Sequence, residues 1–164
     1  MIDAYFKSPI FWDYFFAALL SSGAIILWNN HLIISPKEEY LYSFVSDLAT
    51  IALTMAGFIL TLLTVLISFK STSKQKRDSI SESDTVFELF FSTQLYFETV
   101  IHLKNAIKSL TLMAVVGYCI KLTLNLKNYP VLFIYNIFGI IIVFFTVWRC
   151  LLILSKIIKI QQEN

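Results

Sequence analysis

Charge is what this chain has least of. Only 15% of its 164 residues are Asp, Glu, Lys or Arg, where a soluble domain carries about 25%. Glycine, proline, cysteine and histidine are also scarce, at four, three, two and two residues. Cys119 and Cys150 both lie inside apolar runs, which offers neither a disulfide framework nor a metal-ligand spacing. His31 and His102 fall on opposite sides of the membrane in the topology derived below, so they cannot form a dyad. There is no phosphate-binding glycine loop, no H-E-x-x-H and no C-x-x-C. No serine, cysteine or carboxylate has a partner spaced for catalysis. A catalytic role, a cofactor and a metal are therefore not expected. A cleavable signal peptide is not expected either: Asp13 interrupts the first apolar run and no A-x-A site follows. That run reads as a retained anchor.

What is present is hydrocarbon. The chain is 57% hydrophobic with a mean hydropathy of +0.72, above the roughly 45–50% of soluble domains. Four apolar segments stand out, at 10–34, 48–69, 110–126 and 131–154. About 20 helical residues at 1.5 Å each cross a hydrocarbon core of about 30 Å. Lipid offers no hydrogen bonds, so helices that satisfy their own backbone are the expected element. The alternation of a β-barrel is absent. The expected fold is all-α and polytopic, with four transmembrane helices and cytosolic helical extensions. A hairpin occupies 1–69, a basic loop and amphipathic helix 70–109, and a second hairpin with a C-terminal extension 110–164.

Lysine and arginine set the expected orientation. Ten lie on the side of both termini: Lys7, Lys70, Lys74, Lys76, Arg77, Lys104, Lys108, Arg149, Lys156 and Lys159. Three lie on the other: Lys37, Lys121 and Lys127. Both termini are thus expected in the cytoplasm of a bacterial inner membrane, with short outer loops, SPKEEYLYSFVSD and KNY. Lys121, near the end of segment three, is expected to snorkel to the headgroups. After the polar stretch KSTSKQKRDSISESD, a helix starting near Ser83 or Asp84 is expected to run straight into segment three. Its apolar face would hold Phe87, Phe90, Phe91, Phe97, Ile101 and Leu103, against Glu88, Gln94, Glu98, His102 and Asn105. It either packs on the overrun of segment four or lies on the bilayer surface.

The most unusual stretch is TIALTMAGFILTLLTVLIS. Thr50, Thr54, Gly57, Thr61, Thr64 and Ser68 recur at intervals of four and three, the 3.5-residue period of a left-handed helix contact. The register continues to Ser43 and Asp47 upstream and Ser71 downstream. Three readings remain open. The seam packs against another helix, since small residues allow close approach. Or it lines a pore formed by several copies, with Asp47 as a carboxylate ring at the outer mouth. Or it forms a path within one subunit. The basic residues Lys70, Lys74, Lys76 and Arg77 serve anionic headgroups or contact a phosphate-bearing ligand.

In its plan of about 160 residues, four spans, a basic cytosolic loop and no catalytic motif, the chain resembles the small multi-pass effectors of bacterial antiphage systems. The Hailong channel effectors are the nearer likeness, through the style of TMAGFILTLLTVLISF, and the membrane subunit of Kiwa is the second. No diagnostic motif matches residue by residue, so no residue roles carry over. The resemblance implies a homo-oligomeric channel, here taken as a tetramer, gated through its cytosolic helices. It also implies a cytosolic regulatory partner, which in Hailong-type systems is a nucleotidyltransferase making single-stranded DNA oligomers. A nucleotide or single-stranded nucleic acid ligand is thus one expectation. The alternative is a non-conducting membrane anchor or sensor subunit.

Overall fold

The computed structural model describes residues 8–33, 36–76, 94–123 and 129–162, with side chains at 8–33, 36–71, 96–123 and 130–155. Four helices occupy them: α1 Pro9–Asn29, α2 Glu38–Lys76, α3 Gln94–Thr123 and α4 Tyr129–Gln162. All four are long and apolar enough to cross a membrane, and no strand occurs among the described residues. The fold is all-α, as the composition requires. Its outer surface is hydrocarbon, with Phe11, Leu19, Ile26, Phe58, Phe144 and Trp148 all more than half exposed. A water-soluble protein does not expose such a surface.

Pro9 opens α1, where its missing N–H costs nothing. α1 stops at Asn29, five residues before the apolar run does. The Asn30 N–H closes back on Ile26 O, and His31 takes φ 56°, which breaks the helix. α2 begins ten residues earlier than hydropathy placed it. Glu38 and Glu39 sit in its first turn, where carboxylates favour the positive end of the helix dipole. Most of the expected outer loop is therefore helix. α3 does run continuously into segment three from Gln94. The expected start of that helix, with Phe87, Glu88, Phe90 and Phe91, lies outside the described residues. α4 continues past the membrane length to Gln162.

α2 and α3 form the most extensive contact, antiparallel to one another. Ala49, Ala52, Ala56 and Ile59 of α2 meet Leu103, Ala106, Leu110 and Ala114 of α3. Small side chains let the two backbones approach, which is what holds helices together where lipid removes the hydrophobic drive. α4 lies across both, through Leu132, Phe133, Tyr135 and Ile142 against Leu41, Val45, Leu48 and Met113. Two glycines make that crossing possible. A Cβ on Gly117 would strike the Tyr135 hydroxyl, and one on Gly139 would strike Leu48. α1 packs mainly on α4, with Trp28 against Phe133 and Phe16 against Phe145.

These contacts fix the level of each helix. α1 has 21 residues, so it is about 31 Å long, the thickness of the hydrocarbon core. Tyr14 bonds Ser109 and Asp13 bonds Arg149. Thr50 meets Tyr118, and Lys121 meets Ser46. With α1 as the ruler, the apolar slab covers roughly residues 44–64 of α2, 104–123 of α3 and 133–153 of α4. The start of α1 and the end of α4 share one end of the bundle, called proximal here. α2, α3 and α4 extend beyond the slab at that end.

Candidate functional site

The threonine seam faces away from its own subunit. Thr50, Thr54, Gly57, Thr61, Thr64 and Ser68 are all exposed, as are Ser43, Asp47 and Ser71. The buried face of α2 is the alanine stripe. At about 100° per residue, the centre of the seam lies about 130° around the helix from the centre of that stripe. A Cβ on Gly57 would meet nothing within 4 Å. Among the described residues the seam is not the face of α2 that packs on α3; of its members, Thr50 reaches α3 through Tyr118. The physical reason is that alanine, smaller than threonine and without a hydroxyl to satisfy, gives the closer contact with α3.

The hydroxyls are satisfied locally. Thr50, Thr54, Thr61 and Thr64 each donate to the carbonyl four residues back, on Ser46, Thr50, Gly57 and Leu60, at 2.9, 2.8, 3.0 and 2.9 Å. Each oxygen keeps lone-pair capacity. The seam therefore presents acceptors on a surface otherwise made of Ile51, Leu53, Phe58, Leu60 and Val65.

α3 supplies a second polar line that the sequence reading missed. The Tyr118 hydroxyl lies 3.4 Å from Thr50 Oγ1. Lys104, Thr111 and Tyr118 are all exposed. Their seven-residue spacing sets them in one row beside the seam. Asp47 lies about a turn inside the distal edge of the slab, and Lys104 at the proximal edge. Thr64 is level with Lys104, and Ser68 lies beyond the slab. The slab is thus displaced distally from the 48–69 segment, because α2 overshoots it at the proximal end.

Lys121 is held at the distal end of the bundle by α2. Its ammonium donates to Ser46 Oγ and sits 5.2 Å from the Tyr42 ring centre, while the Tyr42 hydroxyl donates to Lys121 O at 2.9 Å. Lys70 lies 4.2 and 4.0 Å from the centres of the Tyr96 and Phe97 rings, tying α2 to α3 beyond the slab. Lys74 and Lys76 are helical, with side chains outside the described ones, and Arg77 lies outside the described residues. The expected apolar face of the α3 extension is split. Leu103 is buried, whereas Phe97 and Ile101 are exposed. Six residues advance a helix by about 240°, so Phe97 and Leu103 cannot share a face.

Comparison with protein-family models, curated proteins and solved structures finds no match. The bundle interior has to speak for itself.

Its most unusual feature is an ion pair. Arg149 Nη1 donates to Asp13 Oδ2 at 2.5 Å, with side chains 0% and 2% exposed. Arg149 Nε and Nη2 and Thr146 Oγ1 make no hydrogen bond among the described residues. The orientation count above sets Arg149 on the side of both termini. It lies toward the end of the bundle that holds the start of α1, about a turn inside the slab, and its side chain turns inward. A signal was present in the sequence. Asp13 in FWDYFF and Arg149 in VWRCLL are lone, opposite charges in apolar runs, each about a turn from the same end. Charges in spans face the protein interior and pair. Asn136 adds another inward polar contact, donating Nδ2 to Leu41 O at 2.9 Å.

Proposed function

We propose that this protein is a homo-oligomeric ion channel, with the outward polar face of α2 turned to a shared lumen. The observation that carries the reading is Asp47. It is exposed, on the seam face, inside the apolar slab. A carboxylate facing lipid costs about 2.5–3.5 kcal/mol at the centre of a span on the lenient insertion scale, and less about a turn from the edge, where Asp47 stands. Facing water or another copy removes that cost. Thr50, Thr54, Thr61 and Thr64 continue the same face and line the path, Gly57 widens it, and Ser68 opens it toward the proximal end.

The setting we propose is a bacterial inner membrane with cytoplasmic termini. The extensions of α2, α3 and α4 would receive a regulatory protein or a nucleotide or single-stranded nucleic acid ligand. The likeness in plan to antiphage effectors supports that setting.

Disulfide trapping in membranes tests the assembly. In a Cys119→Ser, Cys150→Ala background, Thr54→Cys, Gly57→Cys and Thr61→Cys should each give intersubunit bonds. Ile51→Cys and Leu60→Cys, equally exposed on the flanks, should not. Equal trapping at all five positions, or none, refutes the shared axis. Trapping on the seam without ion flux through reconstituted vesicles favours the anchor or sensor reading instead.

A further inference from the structure

The polar face has opposite charge at its two ends. Asp47 marks the distal end of the seam, and Lys104 the proximal end of the adjoining row on α3; both are exposed. Between them along the face lie Thr50, Tyr118, Thr54, Thr111 and Thr61. Lys108, also exposed, lies one turn deeper than Lys104. An ammonium at that level has the same reason as Asp47 to avoid lipid. The two-helix-wide face thus runs from an acidic end at Asp47, through neutral hydroxyls, to a basic end made by Lys108 and Lys104.

Resting on the channel reading, we infer that the path rectifies, and that Asp47 and Lys104 set the direction. A ring of carboxylates raises the local concentration of cations at the distal mouth. A ring of ammonium groups raises that of anions at the proximal mouth. Cations therefore enter more readily from the distal end, and anions from the proximal end. Both movements carry positive current in the same sense, distal to proximal. The direction is independent of which ion dominates. The bias depends on mouth charges in contact with water, so salt screens it over about 10 Å at 0.1 M and about 3 Å at 1 M.

The test is current–voltage recording on the full chain in planar bilayers at about 0.05 M and 1 M KCl. Sidedness is assigned by labelling Glu38→Cys, in a Cys119→Ser background, with an impermeant maleimide. Current from distal to proximal should exceed the reverse by about twofold or more at low salt, and the ratio should fall toward one at 1 M. Asp47→Asn and Lys104→Gln should each reduce the ratio, and the double exchange Asp47→Lys, Lys104→Glu should invert it. Symmetric currents at low salt, or a ratio that neither single variant moves, overturn the inference and leave the channel standing. Absence of current in the parent protein overturns both.

Discussion

Removing one member of the Asp13–Arg149 pair should destabilise the bundle more when the member lost is Asp13. The two side chains are almost fully buried and joined at 2.5 Å. Two unit charges about 4 Å apart attract by about 4 kcal/mol at an effective dielectric constant near 20. Breaking such a pair typically costs about 3–5 kcal/mol, because an uncompensated charge is left behind. The two halves differ in how they escape that cost. A lone carboxylate can take up a proton and become neutral. A guanidinium stays protonated at any accessible pH and has no such escape. Arg149 also has two further nitrogens without a hydrogen bond among the described residues. Asp13→Ala should therefore cost about 3–5 kcal/mol and Arg149→Met about 1–3 kcal/mol. The double variant Asp13→Leu, Arg149→Met should approach the parent, because well-packed apolar replacements of buried ion pairs are often neutral or stabilising. The assay is denaturant-induced unfolding in mixed micelles, followed by tryptophan fluorescence; Trp12 and Trp148 each adjoin one member of the pair. Equal and additive effects of the two single losses would refute the coupling. So would a cost for Asp13→Ala below about 1 kcal/mol.

The other expectations separate the two faces of α2. Ala52→Leu and Ala56→Leu overpack the contact with α3 and should lose about 1–3 kcal/mol in the same unfolding assay. Thr54→Val and Thr61→Val on the outward face should stay within about 0.5 kcal/mol of the parent, while changing single-channel conductance. Gly139→Ala sets a methyl group against the side-chain ends of Leu48 and Met113, which can turn aside, and should lose about 1 kcal/mol; a stabilised variant would mean that α4 does not pack on Leu48 there. Lys70→Gln removes the ammonium from Tyr96 and Phe97, and should cost about 0.5–1 kcal/mol at this partly exposed site.

The sequence by itself determined the class, the number of spans and the continuity of α3 with its extension. These follow from hydropathy and helix length, which are local properties. It also determined the spacing of the seam, since periodicity along one helix needs no partner. It did not determine which face of α2 is buried. Ala49, Ala52 and Ala56 recur at the same three-and-four spacing as Thr50, Thr54, Thr61 and Thr64, and both rows suit close helix contact. Only the packing of α3 chose between them, through Leu103, Ala106, Leu110 and Ala114. Hydropathy missed the start of α2 because helices do not end where the slab ends. The pairing of Asp13 with Arg149 spans 136 positions and joins the first helix to the last. Each charge alone marks an exception in an apolar run, and the tertiary fold makes them one site. The same holds for the row Lys104, Thr111 and Tyr118, which becomes a second wall only when Tyr118 is seen beside Thr50.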